Sequence, residues 1–144
     1  TLPEPVEENR DLRRLLEELN YVGVLCVEFF VERGRLIANE MAPRVHNSGH
    51  WTIEGAETSQ FENHVRAVAG LPLGSTRPCG HAVMRNLIGR MPPANSLLGL
   101  PGVHWHDYGK SPRSGRKLGH LTQVCATRLE CNRAAARLRR IAGR

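Results

Sequence analysis

Residues 21–41 have the sequence YVGVLCVEFFVERGRLIANEM, which predicts two strands joined by a tight turn. Val and Phe are enriched from Tyr21 to Val31, and a second apolar run extends from Leu36 to Met41. The segment Glu32-Arg33-Gly34-Arg35 has the composition of the turn between them. The stretch therefore predicts an antiparallel β-hairpin, from which the rest of the fold can be built outward.

One glutamate lies on each predicted strand. Glu28 is surrounded by apolar residues, so its carboxylate must be paired with a cation, bind a metal or face solvent. A hairpin centred on Gly34 places Glu28 directly opposite Glu40, with Cβ atoms about 5 Å apart. A divalent cation such as Mg²⁺ would offset their repulsion. Two alternatives stay open: a one-residue register shift would put the glutamates on opposite faces, and Arg35 or Arg44 could neutralise them.

A dense polar segment follows Glu40 and extends to Trp51. The guanidinium of Arg44 can hold a planar anion such as bicarbonate through two parallel hydrogen bonds. Asn47 and Ser48, in a predicted turn, offer donors for an oxyanion. A magnesium site facing phosphates, next to an arginine facing a carboxylate, suggests ATP-driven activation of a carboxylate or of bicarbonate.

The rest of the chain predicts the α+β class, in two domains. Residues 1–76 would contain a helix, the hairpin and a second helix, and residues 77–144 would form a small β-rich domain with a terminal helix. The helices are predicted at 6–20, from Gln60 to Gly70 and at 127–142, and the strands of the second domain at 82–88, 103–108 and 116–122.

The net charge of +6 is unevenly distributed along the chain. Residues 1–66 carry 7 basic and 12 acidic side chains, whereas residues 67–144 carry 13 basic and 2 acidic ones. An excess of positive charge suggests an anionic partner, which leaves a small basic nucleic-acid-binding protein as an alternative function. No apolar run is long enough to cross a membrane and no signal peptide is visible, so no membrane partner and a cytoplasmic location are expected.

The combined motifs resemble the 5-(carboxyamino)imidazole ribonucleotide synthase family of the ATP-grasp superfamily. Glu28, Asn39-Glu40 and Arg44 resemble the metal-binding hairpin and anion-binding arginine of the superfamily in general. The longer motifs narrow the resemblance to this one branch, over roughly residues 15–122. They are Asn39–Trp51, Thr52-Ile53-Glu54, Thr58–Glu62, Asn86-Leu87-Ile88-Gly89 and Gly115–Leu121.

The resemblance implies an ATP-dependent carbon–nitrogen ligase of purine biosynthesis. ATP would phosphorylate bicarbonate to carboxyphosphate, and the exocyclic amine of 5-aminoimidazole ribonucleotide would then take the carboxyl group. Glu28 and Glu40 would hold Mg²⁺ at the ATP phosphates, with Asn39 beside the nucleotide. Residues 1–76 would be the C-terminal part of an ATP-grasp domain.

The resemblance also implies roles for the substrate-binding residues. Arg44 would hold bicarbonate or carboxyphosphate, and His46, Asn47 and Ser48 would line the pocket where the two substrates meet. Lys110 and Arg116, in the second domain, would bind the ribonucleotide 5′-phosphate. A homodimer is expected for the full-length enzyme, and no nucleic-acid partner.

Two departures from the family pattern affect these expectations. Ser114 replaces the usual proline in the basic loop, so a modest change of loop rigidity is expected. No Gly-rich phosphate loop precedes Glu28, so the chain is expected to be the C-terminal portion of a longer enzyme and to be inactive by itself. A non-catalytic remnant of an ATP-grasp enzyme is a further alternative.

Overall fold

The computed structural model of the chain describes residues 8–143, with side chains from Leu12 onward. The fold is α+β, as predicted. The chain divides into two compact units: unit 1 comprises Thr1–Asn47 with Gln60–Leu73, and unit 2 comprises Ser48–Ser59 with Gly74–Arg144. The predicted helix start at residue 6 lies outside the described residues.

The described elements are helices and antiparallel strands. In chain order they are α1 (Glu8–Glu18), β1 (Cys26–Glu32), β2 (Arg35–Ala42), a 3₁₀ turn (Asn47–Gly49), α2 (Thr52–Gly55), α3 (Gln60–Val68), β3 (His81–Ile88), α4 (Ala94–Leu98), β4 (Val103–Asp107), β5 (Lys117–Cys125) and α5 (Arg128–Ala142). Unit 1 contains α1, the β1–β2 hairpin and α3, whereas α2 and everything from β3 onward belong to unit 2.

The hairpin of unit 1 turns at Arg33 and Gly34, whose φ angles are 50° and 77°. Positive φ at both central positions gives a type I′ turn, whose twist matches that of the flanking strands. A β-bulge after Glu28 then shifts the register, and Asn39 is the extra residue of β2. Glu28 consequently lies opposite Glu40, which confirms the predicted pairing. Without the bulge, Glu28 would face Asn39.

The first strand is shorter than predicted, because residues 21–25 are not paired with β2 and β1 begins at Cys26. Gly23 has a φ of 136°, and the N–H of Val24 donates to Nδ1 of His64 on α3 at 3.0 Å. A Cβ atom at residue 23 would lie 2.8 Å from the His64 ring, so only glycine fits there. The segment before β1 is therefore fixed by α3 rather than by strand pairing.

Unit 2 is a three-stranded antiparallel sheet in the order β3-β5-β4, with α5 packed against β3 and β5. Its core is apolar and fully enclosed: Leu87, Leu97, Leu121, Leu138 and Ala142 are all buried. Residues 108–116 connect β4 to its antiparallel partner β5, as the sequence predicts for this loop.

Thr127 is the N-cap of helix α5, where a capping box with Glu130 satisfies free N–H groups of the first turn. The predicted terminal helix is thus confirmed. The stretch 91–101, which is rich in Pro and Gly, contains the short helix α4, and its Leu97 is only 1% exposed. Burial of Leu97 stabilises this short helix although the local sequence favours a helix only weakly.

Among the described residues, no helix is both long and apolar enough to span a bilayer.

Candidate active site

Unit 1 brings together Glu28, Glu40 and His46, which we call the acidic cluster. The Nε2 atom of His46 lies 3.2 Å from Oε1 of Glu40 and 3.6 Å from Oε1 of Glu28. One ligand atom from each residue lies within 4.8 Å of the other two. The Glu28 and Glu40 side chains are 40% and 55% exposed, whereas that of His46 is 11% exposed. The carboxylates are therefore open to solvent on one side and backed by an imidazole on the other.

His46 is held in this position by Gln60, the first residue of α3. The N–H of His46 donates to Oε1 of Gln60 at 3.0 Å, and Nε2 of Gln60 donates to the carbonyl oxygen of His46 at 2.7 Å. A side-chain amide satisfies both backbone groups of a buried residue, which removes the cost of leaving them unpaired. The family resemblance implies that His46 lines the substrate pocket, which stays a prediction; in the structure its ring contacts the two glutamates.

The two carboxylates and the imidazole fit a divalent cation. Mg²⁺ takes one or two carboxylates in sites that also bind phosphates, and imidazole is a common ligand of transition metals. Neither arginine considered from the sequence is paired with these glutamates: Arg35 lies opposite Glu32 at the hairpin tip, and Nη1 of Arg44 donates to the carbonyl oxygen of Val45 at 3.0 Å.

The remaining predicted residues of the polar segment lie on irregular backbone. Asn39 is exposed at the bulge of β2, and the Arg44 side chain is also exposed. Asn47 and Ser48 belong to the 3₁₀ turn, whose last carbonyl, that of Gly49, accepts a hydrogen bond from Oγ1 of Thr52 at 2.6 Å. The division between the units falls after Asn47, so Ser48 belongs to unit 2.

Lys110 and Arg116 both lie in the loop between β4 and β5, in unit 2. The Nζ atom of Lys110 is exposed and lies 5.2 Å from the centroid of the Tyr108 ring, a cation–π distance. Arg116 is half-buried, and its Nη1 donates to the carbonyl oxygen of Ser111 at 3.3 Å. Arg116 thus stabilises the loop by a hydrogen bond within it, and the Lys110 side chain lies over the Tyr108 ring.

A second polar cluster, which lies in unit 2, was not predicted from the sequence. We call it the imidazole cluster, and its members are His50, Glu54, His106, Tyr108 and His120. The His106 and His120 rings stack with centroids 4.4 Å apart and planes 12° apart, because the two residues lie directly opposite each other on β4 and β5. The sequence hints at this cluster in the alternation His104-Trp105-His106 and in the pair Gly119-His120. These patterns are also typical of ordinary β-strands, so they do not by themselves indicate a cluster.

Each of the two stacked rings of the imidazole cluster also makes a hydrogen bond to another member of the cluster. The Nε2–H of His106 donates to Oε1 of Glu54 at 2.6 Å, and the Tyr108 hydroxyl is hydrogen-bonded to Nδ1 of His120 at 2.8 Å. Burial, aided by the neighbouring His106 and His50, lowers the pKa of His120 to about 4. His120 is therefore neutral at physiological pH.

Two family models match the chain in the order of its units. The model of the ATP-grasp domain matches residues 6–61, and that of the phosphoribosylaminoimidazole carboxylase C-terminal domain matches residues 82–134. The first matched segment contains the acidic cluster of unit 1 together with residues 48–59 of unit 2, and the second contains β4, β5 and all of β3 except His81.

Curated relatives agree with these models. The chain is 61% identical to N5-carboxyaminoimidazole ribonucleotide synthase from Pseudomonas aeruginosa over 115 residues, which is 80% of this chain and 32% of that protein. It is 52% identical to the Escherichia coli enzyme of the same name over 111 residues, 76% of this chain and 31% of that protein. The chain thus spans about a third of the length of these relatives.

Solved structures share the fold. The N5-carboxyaminoimidazole ribonucleotide synthetase of Thermus thermophilus superposes with a TM-score of 0.88 at 52% identity, over 99% of this chain and 41% of that one. An Aspergillus clavatus N5-carboxyaminoimidazole synthase, solved with ADP and 5-aminoimidazole ribonucleotide, gives 0.74 at 36% identity, over 85% and 35% of the two chains. These matches favour the ligase family over a nucleic-acid-binding protein.

Proposed function

We propose that this chain, a homologue of part of the N5-carboxyaminoimidazole ribonucleotide synthases of the ATP-grasp superfamily, takes part in the ATP-dependent carboxylation of 5-aminoimidazole ribonucleotide by bicarbonate. The observation that carries the proposal is the cluster of Glu28, Glu40 and His46 on a bulged hairpin within the ATP-grasp match. Bicarbonate would attack the γ-phosphorus of ATP to give carboxyphosphate and ADP. The ribonucleotide amine would then take the carboxyl group, releasing phosphate and a proton.

Glu28 and Glu40 are proposed to hold Mg²⁺ at the ATP phosphates. Bound there, Mg²⁺ would neutralise the negative charge that develops on the transferred phosphoryl group. His46 orients the Glu40 carboxylate through the 3.2 Å contact, and Gln60 fixes His46. Asn39, exposed at the bulge next to Glu40, is proposed to contact the nucleotide.

Arg44 is proposed to bind bicarbonate and then carboxyphosphate. Its guanidinium is exposed, and its planar set of donors matches a carbonate or carboxylate group with two parallel hydrogen bonds. Asn47 and Ser48 follow in the 3₁₀ turn, where amide and hydroxyl donors suit the remaining oxygens. Their role is to fix the carboxyl group for attack by the amine and to shield it from water.

Lys110 and Arg116 are proposed to bind the 5′-phosphate of the ribonucleotide. Both are cationic and both belong to the β4–β5 loop, within the second family match. Arg116 shapes the loop through Ser111, and the exposed ammonium of Lys110 supplies a compact positive charge suited to phosphate. This gives the positive charge of the second half of the chain a specific anionic partner.

The proposal is tested by a chimeric enzyme. The 115-residue matching stretch of the Pseudomonas aeruginosa relative is replaced by the corresponding stretch of this chain. ADP formation that depends on both bicarbonate and 5-aminoimidazole ribonucleotide is then measured. We expect the chimera to be active and Glu40→Gln to lower its kcat about 100-fold or more, since a metal ligand acts on the charge of the transition state.

Glu32→Gln is the matched control, because Glu32 lies on the same hairpin but at its tip, opposite Arg35. It should leave kcat within about twofold of the parent, as surface substitutions usually do. A chimera that binds ATP as the parent enzyme does, yet forms no ADP with both substrates present, would overturn the proposed function. Unchanged turnover in Glu40→Gln would overturn the metal role alone.

Three further expectations stay predictions. They are a domain boundary between residues 76 and 77, a homodimer for the complete enzyme, and a cytoplasmic location. The family matches, which end at residue 61 and resume at residue 82, support a boundary in this interval. Sedimentation of the chimera against its parent would show whether the residues of this chain are compatible with dimer formation.

A further inference from the structure

The imidazole cluster of unit 2 lowers the stability of the fold, because polar atoms are buried in it. His120 is 1% exposed and the Glu54 side chain is 10% exposed, yet both carry polar atoms in the interior. Buried Oε2 of Glu54 and Nε2 of His120 have no hydrogen-bond partner among the described residues. Apolar residues of similar volume would avoid the desolvation of these groups. The polar groups therefore serve a purpose other than core packing.

The cluster is well suited to holding surface groups in place. Two of its rings are stacked across neighbouring strands, and each stacked ring has a hydrogen-bonded partner: Glu54 for His106 and Tyr108 for His120. Interlinked polar groups in a low-dielectric interior strengthen one another and specify one arrangement. Because His120 is neutral, it places no buried positive charge in the stack that would repel the neighbouring imidazoles of His106 and His50.

Two members of the cluster connect it to the proposed substrate-binding stretches of unit 2. The Tyr108 ring lies beneath the ammonium group of Lys110, at 5.2 Å. His50 follows Ser48 by two residues, and its ring lies 6.2 Å from that of Tyr108, edge to face, and 5.5 Å from that of His120. The cluster thus includes the residue that directly follows the turn containing Ser48, and it contacts Lys110 of the loop between β4 and β5.

We propose that the imidazole cluster is a positioning device, which holds the Ser48 turn and Lys110 at a fixed separation. The inference deepens the proposed function and rests on it. Tyr108 is the central positioning residue, since its ring contacts Lys110 and His50 while its hydroxyl is anchored on buried His120. Lys110, proposed to bind the ribonucleotide phosphate, and Ser48, proposed as a donor to the carboxyl group, would then keep one separation within unit 2.

The first test is a double-mutant cycle on this chain, with binding of 5-aminoimidazole ribonucleotide followed by ³¹P NMR of the ligand. Lys110→Ala should weaken binding about tenfold or more, as expected for a charged hydrogen bond. Tyr108→Leu should weaken it about threefold, which corresponds to loss of an exposed cation–π contact. The double variant should bind no more weakly than Lys110→Ala, because Tyr108 acts through Lys110.

The outcomes separate the two proposals. Absence of binding, or unchanged binding in Lys110→Ala, would overturn the proposed phosphate role. A tenfold loss in Lys110→Ala combined with no effect of Tyr108→Leu, or with fully additive effects, would overturn the positioning inference and leave the phosphate role intact. His104→Ala is the control, because His104 is an exposed residue of β4, the strand that ends just before Tyr108, and should change nothing.

A second measurement tests the frame without any ligand. Backbone ¹⁵N relaxation of this chain should show added nanosecond motion in Tyr108→Leu at both residues 48–50 and residues 109–116. The signals of β3 and β5 should keep their order parameters, which shows that the variant is folded. Loosening of only one stretch, or of neither, would overturn the inference.

Discussion

The two units differ in where their apolar side chains lie. Unit 2 contains every member of the buried leucine core, whereas the buried residues of unit 1 are Ala42, His46 and Asn63 among those described. Sixteen large hydrophobic residues are exposed in the part of the chain whose side chains the structure describes, and twelve of them belong to unit 1, including Phe30 at 60% and Val31 at 74%. One unit is therefore stabilised by burial, and the other obtains little from it.

The difference shows how each unit fixes its polar groups. A two-stranded hairpin is marginal by itself, so Glu28 and Glu40 depend on the type I′ turn, the bulge and the backbone contacts of Gln60 with His46. The imidazole cluster instead lies on a sheet with a complete core behind it. The acidic cluster is consequently the more adaptable of the two, and the imidazole cluster the more rigid.

The same substitution in the two sheets gives the largest expected contrast. Leu121→Ala removes a fully buried side chain of β5 and should lower the free energy of unfolding by about 2–5 kcal/mol. Leu36→Ala on β2, where the side chain is 48% exposed, should lower it by less than about 1 kcal/mol. Urea unfolding followed by circular dichroism measures both. Equal losses would show that the hairpin is buried to the same extent as the core.

Acidification should weaken unit 2 through His120. Its pKa is about 4 in the folded protein and about 6.5 in the unfolded chain, so the unfolded state binds more protons between these values. Stability contributed by His120 is complete above pH 6.5, is lost as the pH falls and stops changing below 4. Between pH 7 and pH 5 the loss is about 2 kcal/mol, since each pKa unit corresponds to about 1.4 kcal/mol.

Urea unfolding at pH 7 and pH 5 checks this loss, with His120→Gln and the exposed-site variant His104→Gln compared with the parent. The pH dependence should flatten in His120→Gln, which has no imidazole at this position to titrate. It should persist in His104→Gln. The same slope in all three proteins would mean that His120 is readily protonated in the fold.

Divalent cation binding should stabilise unit 1 selectively. At ten times its Kd, Mg²⁺ should raise the opening free energy of the β1–β2 amides by about 1.4 kcal/mol and leave those of β3–β5 unchanged. Hydrogen exchange read by mass spectrometry measures both sheets in one experiment. Glu40→Gln should abolish the protection, whereas Glu62→Gln, in which a carboxylate paired with Arg66 on α3 is removed, should keep it. Uniform protection of both sheets would contradict a cation site in unit 1.

Much of the fold could be predicted because local patterns and local structure agree. The helices ending near Asn20 and Gly70, the capped terminal helix and the strands of unit 2 follow from periodicity and from cap and turn residues. The exceptions are places where distant residues intervene. Val24 leaves the strand because His64 accepts its N–H, and α4 forms among prolines because Leu97 can be buried.

The candidate site divides in the same way. The chemistry of Glu28, Glu40, Arg44, Lys110 and Arg116 could be recognised from residue type and motif. The contact of His46 with the two glutamates and the imidazole cluster could not, since both join residues from separate elements. Glu54 and His106, for example, are 52 residues apart in the chain and 2.6 Å apart in space.

The sequence by itself determined the α+β class, the hairpin and the family resemblance, because these depend on side-chain type and short-range spacing. The tertiary structure decided between the registers that the sequence left open, and it alone showed which distant groups meet. Glu28 lies opposite Glu40 because a bulge at Asn39 corrects the register of a turn at Arg33 and Gly34, and residue spacing does not reveal that bulge. The neutral state of His120 likewise comes from burial and from neighbouring rings on other elements. Long-range packing sets both, since it fixes the separation and the dielectric surroundings on which electrostatic interactions depend.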